Sequence, residues 1–257
     1  MKEKKTTKRK FLNILFWIFI AIFALCVISL GAYFLEGYLS NDVVEPQNDN
    51  TSSVQSEAPP LRKNPIDFEK LQETNTDIYA YIKIPGTVID YPVVQATDMD
   101  DDFYLHRGLD KKYKFAGSIY SEKKNSKKFT DRNTVLYGHN MLNGTMFQNL
   151  HKFRNAEFFE KNQYIYIYTP GHILTYKIIA AYKYDNRHLL NTIDYSDNTV
   201  FNDYLNYIKN PTSMMVNKRE VELDLNSKLL TLSTCIGDEK EHRYLVQGVL
   251  INDERTK

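Results

Sequence analysis

From Phe11 to Leu35 no side chain carries a charge, and Asn13 is the most polar residue in the run. As a helix rising about 1.5 Å per residue, this stretch is long enough to cross a hydrocarbon layer of roughly 30 Å. Lys2, Lys4, Lys5, Lys8, Arg9 and Lys10 crowd the residues before it, and Glu36 follows it. That asymmetry predicts a basic cytoplasmic tail (residues 1–10), one transmembrane anchor (11–35) and everything after it outside the cell membrane. A cleaved signal peptide would have an apolar region of about 7–15 residues and a small-x-small cleavage site, and neither matches well. Cys26 lies inside the run and reads as a lipid-facing thiol.

Residues 36–64 are rich in Asn, Ser, Asp and Pro and hold too little apolar surface to offset the entropy of ordering, so they read as a flexible stalk. Residues 65–257 form the expected folded domain. Basic and acidic residues nearly cancel, 33 against 32 for a net charge of +1. This gives no support to a nucleic-acid partner, which needs a concentrated basic surface. Nineteen Tyr and fourteen Phe favour strands. Strand signals fall at 78–84, 88–94, 117–120, 134–137, 164–168, 173–184, 229–234 and 244–251, with Pro-Gly turns at 85–86 and 170–171. Many short strands separated by turns predict a barrel or sandwich. Helices interrupt it. Asn64-Pro65 reads as a helix start with Pro at the first position, and 145–153 and 156–161 as short helical pieces. In 197–210 the residues Val200, Phe201, Tyr204, Leu205 and Ile208 recur on one helical face.

Three residues attract chemical attention. Cys235 is the one thiol of the exported part, so it is packing, an intermolecular link or a reactive group. It ends the run Leu229-Leu-Thr-Leu-Ser-Thr-Cys, where a strand supports it at the mouth of a polar loop. His139 ends the strand in Asn133-Thr-Val-Leu-Tyr-Gly-His-Asn, where an imidazole can pair with a thiol or protonate a leaving amine. Arg243 begins the next strand after Cys235; arginine stays charged at working pH and can stabilise an oxyanion.

Together, Thr231-Leu-Ser-Thr-Cys235, Arg243 and the preceding Tyr-Gly-His-Asn resemble the sortase family, in the family's chain order of His, Cys and Arg. The resemblance spans about Pro65 to Ile251. TLSTC, the helix at 197–210, Tyr91-Pro-Val-Val-Gln and Gly117-Ser-Ile-Tyr resemble class B sortases in particular. The resemblance implies a mostly β fold: an eight-stranded barrel with N-terminal helices and an extra helix at 197–210. It implies a transpeptidase that cleaves a C-terminal sorting signal after Thr and passes the acyl group to a peptidoglycan amine. Cys235 becomes the nucleophile, His139 the acid/base and Arg243 the oxyanion or substrate-binding residue. Leu105, Tyr137, Leu189, Leu190, Ser233 and Thr234 are the implied substrate-groove residues.

No cofactor or metal is expected, because His106, His151, His172, His188 and His242 form no ligand spacing. Asp131, ahead of the His139 strand, reads as capping a turn. Asp238, Glu239 and Glu241 after the nucleophile suggest either a solvated loop or attraction for a cationic amine. Two other readings stand on the residues alone. One is a non-catalytic stalked binding module with Cys235 as core packing, which leaves the strand-end placement of all three residues unexplained. The other is a hydrolase in which water captures the same acyl-enzyme. Papain-like enzymes place Cys before His, and the Ser-His-Gly-Cys run of L,D-transpeptidases is absent.

Overall fold

The first described strand, β1 (Ile78–Lys83), turns through Pro85-Gly86 into β2 (Asp90–Val94) and pairs with it antiparallel. Gly86 takes the positive φ of 78° that this turn needs. The computed structural model describes residues 61–237 and 239–257. The expected anchor and nearly all of the expected stalk lie outside them. Among the described residues, no helix is long and apolar enough to cross a membrane.

The remaining strands are β3 (Ile119–Tyr120), β4 (Asn133–Tyr137), β5 (Tyr164–Thr169), β6 (His172–Asp185), β7 (Val216–Lys218), β8 (Leu229–Ile236) and β9 (Glu239–Arg255). Their order is β5-β1-β2-β3-β4-β8-β9-β6, and β5 pairs again with β6, so eight strands close on themselves. Closure removes the unpaired edges that an open sheet exposes. A ninth, β7, hangs on the far half of β6 and was not expected from its residues. It is three residues long and only partly apolar, and its pairing comes from β6.

Alternation along the strands separates two cores. Leu136, Ile165, Ile167, Leu174, Tyr176, Leu230, Leu232 and Val246 fill the barrel. Val135, Leu229, Leu245 and Val249 face outward against a helix. That helix, α4 (Asn198–Lys209), buries Phe201, Tyr204, Leu205 and Ile208. Each such side chain contributes about 2 kcal/mol. Asp197 caps it by accepting from Thr199 and Val200 N–H at 2.7 and 3.1 Å. Val200, assigned to the stripe from sequence, is 39% exposed, because the helix docks on the other side.

The other helices are short: α1 (Phe68–Thr74), α2 (Ala156–Lys161) and α3 (Leu189–Thr192). Pro65 is not at the first position of α1. Asn64 instead turns the chain by accepting from Ile66 N–H at 3.0 Å, and Asp67 is the cap, accepting from Lys70 N–H at 3.1 Å. The segment Phe147–Arg154 is a 3-10 helix, as is Phe103–His106. The start of the domain is tied to its end: Lys257 N–H donates to the Arg62 carbonyl at 2.9 Å.

Candidate active site

On β8 the even residues Leu230, Leu232 and Ile236 point into the barrel, so Ser233 and Cys235 face outward. The antiparallel register sets Cys235 directly opposite Arg243. Cross-strand partners have Cβ atoms about 4.5–5.5 Å apart, so thiol and guanidinium start from neighbouring positions. On the other side β4 runs parallel to β8, with Tyr137 beside Ser233. Two bonds extend this pairing past the strand: Gly138 N–H donates to the Ser233 carbonyl at 3.2 Å, and Thr234 Oγ1 to the Gly138 carbonyl at 2.8 Å. His139 is the next residue. Only glycine fits before it, since a Cβ on Gly138 would lie 2.5 Å from Ile119 Cδ1.

His139 Nε2 is 2.9 Å from the Leu105 carbonyl. A carbonyl only accepts, so Nε2 carries the hydrogen and Nδ1 is left as the proton-exchanging atom. Burial, helped by the neighbouring His106, holds His139 below the ordinary imidazole value, while the Leu105 carbonyl pulls the other way. The ring stacks on Phe115, with centroids 6.0 Å apart and 14° between planes, and lies 5.1 Å from His106. Gly117, at φ 56°, leaves room for the Leu105 carbonyl, which a Cβ there would strike.

One cleft of about 550 Å³ is lined by Cys235, His139 and Arg243 together with Leu105, Tyr137, Leu189, Ser233 and Thr234. Cys235 is half-buried in it. Such a thiol differs from one sealed in a core, which is what the packing reading required. Leu190 is not in the cleft. It packs beside the outer core and borders a neighbouring depression with Lys124 and Asn191. Leu189 and Leu190 are consecutive on α3, so their side chains point about 100° apart.

The sequence missed several participants. Glu122 and His188 form a pair in the cleft wall, Oε1 to Nε2 at 2.7 Å. Tyr137 stacks on Tyr120 at 5.4 Å, and burial and the Glu122 charge push its hydroxyl well above the ordinary phenol value. Behind the nucleophile, His151 Nε2 donates to the Cys235 carbonyl at 3.0 Å. Burial, then the Arg154 charge, lower His151, so it is held neutral. These pairs join residues 66 and 84 positions apart, and only barrel closure brings them together.

The acidic loop is engaged elsewhere. Glu239 pairs with Lys183 and with His242 Nδ1 at 3.1 Å, and Glu241 accepts from Asn186 at 2.9 Å. Asp238 lies outside the described residues. Asp131 accepts from Ser126 N–H at 2.7 Å and shapes a turn. Among the described residues, no three His, Cys, Asp or Glu side chains converge as a metal site would need.

A strand-borne thiol, an oriented imidazole and a guanidinium in one cleft can carry out acyl transfer through a thioester. Comparison with known proteins points the same way. Residues 82–251 match the sequence model of the sortase domain. Sortase B of Listeria monocytogenes is 32% identical over 190 residues, 72% of this chain and 74% of the relative. Sortase B of Staphylococcus aureus is 29% identical over 168 residues, 65% of this chain and 67% of the relative. The crystal structure of Clostridium perfringens sortase B superposes with a TM-score of 0.65 at 35% identity, covering 72% of this chain and 100% of that one.

Proposed function

The chain belongs to the sortase family, and on that premise we propose that it is a membrane-tethered enzyme that cuts a C-terminal sorting signal after threonine and joins the released acyl group to a cell-wall amine. It is a cysteine transpeptidase of class B. The observation that carries the finer reading is the convergence of Cys235, His139 and Arg243 on the 550 Å³ cleft.

In this mechanism the neutral His139 takes the thiol proton through Nδ1, and Cys235 Sγ attacks the threonine carbonyl. Negative charge develops on the carbonyl oxygen, where Arg243 stabilises it. His139 returns the proton to the departing amine and leaves a thioester. An incoming amine then attacks the thioester and re-forms the thiol. Leu105, Tyr137, Leu189, Ser233 and Thr234 border the sorting signal. The partners are surface proteins with such a signal and peptidoglycan or its precursor. Residues 11–35 anchor the enzyme in the cell membrane and the stalk at 36–64 sets its reach, with the catalytic domain outside.

The test is cleavage of a panel of quenched sorting peptides by the full chain in detergent, with and without an amine. Cys235→Ala should abolish cleavage, and His139→Ala and Arg243→Ala should each lower kcat/KM by about 100-fold or more. Cleavage that survives Cys235→Ala would sink the reading.

A further inference from the structure

The ring of Phe115 lies nearly parallel to the His139 imidazole, and yet it is 64% exposed. A phenyl group left this open gains little from burial, so its place calls for another reason. Phe115 does not line the cleft that holds Cys235 and Arg243, whereas His139 does. The phenyl ring therefore meets the imidazole and not what fills the cleft.

The loop that carries it is held in place along its length. Arg107 pairs with Tyr113, Gly108 N–H donates to the Lys112 carbonyl at 2.9 Å, and Lys114 N–H donates to the His106 carbonyl at 3.0 Å. Two side chains tie this loop to the start of β1. Lys111 Nζ lies 2.9 Å from Asp77 Oδ2, and Asn75 Nδ2 donates to the Leu109 carbonyl at 3.0 Å. The same stretch supplies the Leu105 carbonyl that accepts from His139 Nε2. One segment thus grips the imidazole twice, by an edge through Leu105 and by a face through Phe115. His106 completes the cluster, its ring 6.1 Å from Phe115 and 5.1 Å from His139.

We propose that Phe115 is a positioning residue for acyl transfer: its ring fixes the plane of His139 and stabilises the imidazolium that forms when Nδ1 takes the thiol proton. The inference rests on the transpeptidase reading and adds a residue to it. The proton passes from Sγ to Nδ1, its bonding pair stays on sulfur, and the positive charge so created lies beside an aromatic ring. A cation within about 6 Å of a ring centroid is attracted by the negative face of the ring. Here the centroids are 6.0 Å apart with 14° between planes. The neutral imidazole feels much less of this attraction, so the contact favours the transition state over the ground state. The same charge returns when the incoming amine gives its proton to Nδ1, so both halves of the reaction draw on it.

The test uses the full chain in detergent, one quenched sorting peptide and a saturating amine. Phe115→Leu keeps an apolar side chain without a π face, and should lower kcat and kcat/KM together by about 5-fold, with KM within about two-fold. Phe115→Tyr and Phe115→Trp keep the face and should stay within about two-fold of the parent. Replacing Phe115 by pentafluorophenylalanine keeps the shape but inverts the charge of the face, so it should be at least as slow as Phe115→Leu. A fluorinated ring that works as well as phenylalanine, a raised KM with kcat unchanged, or no effect of Phe115→Leu overturns the inference and leaves the transpeptidase intact. A wild-type chain that cleaves no sorting peptide overturns both.

Discussion

Replacing Gln247 by leucine should lower the stability of the domain by about 2–4 kcal/mol, although the side-chain volume barely changes. Gln247 is fully buried on β9 and is the hub of a polar network between the barrel and α4. Its Oε1 accepts from the Tyr182 hydroxyl at 2.7 Å, and its Nε2 donates to the Tyr204 hydroxyl at 2.7 Å and to Thr231 Oγ1 at 2.9 Å. Thr231 in turn donates to Asn133 Oδ1 at 2.8 Å. Leucine leaves the Tyr182 O–H without an acceptor in a place closed to water, which costs about 1–3 kcal/mol. Thr231 loses one partner but keeps another, so its share is smaller. Burial holds the Tyr182 phenol well above its ordinary value, so it cannot escape by ionising. The assay is urea unfolding followed by far-ultraviolet circular dichroism, in a cycle with Tyr182→Phe. The double variant should recover about 1–2 kcal/mol relative to the sum of the single ones, because removing both partners leaves no orphan. Strict additivity, or a Gln247→Leu loss below about 0.5 kcal/mol, would refute the reasoning.

Two further predictions concern ionisation. In a Cys235→Ala background, the His139 ring should titrate by NMR below the ordinary histidine value, and His106→Gln should move the midpoint upward by removing a like charge. A midpoint that stays put would mean His106 does not act on it. Burial alone would raise Asp77, but hydrogen bonds from Thr97, Tyr104 and Lys111 outweigh it and lower it to about 2. Its ionised form therefore stabilises the fold above about pH 4, and that contribution fades as pH falls toward 2. Asp77→Asn should be less stable by about 2 kcal/mol at pH 7, with the gap closing across that acid window in pH-dependent urea melts. A gap that does not vary with pH would remove the ionic account.

Strand-borne features were the legible ones. The Pro-Gly turns at 85–86 and 170–171 and the run Leu229-Leu-Thr-Leu-Ser-Thr-Cys announced their elements, because both signals are local. Cys235, His139 and Arg243 were visible for the same reason, each at a strand end in a recognisable run. Charge pairing was not legible. Glu239 and Glu241 read as a solvated loop or a lure for a cationic amine, yet Lys183 on β6 and Asn186 just beyond it engage them, more than fifty positions away. The Leu105 carbonyl carries no side-chain signature at all, so its hold on the His139 tautomer was invisible until Gly117 was seen to make room for it. Neighbours override propensity at Pro65, where Asn64 and Asp67 take over the turn and the cap, and at Val200, which lies on the open side of a helix whose bounds were read to within one residue.

The hairpin joining β8 to β9 has a bearing on how such an enzyme diversifies. Register from Leu229–Val249 through Cys235–Arg243 is set by the paired strands, and pairing resumes at Ile236–Glu239, so only the tip between those two residues is an unpaired link. Lengthening or rewriting a surface link perturbs stability weakly, since closure entropy grows slowly with length. The nucleophile and its guanidinium would therefore survive an exchange of that tip, because neither depends on it for register. The machinery of acyl transfer is in this way insulated from the hairpin tip, so that tip is a place where the sequence can drift without unseating the thiol.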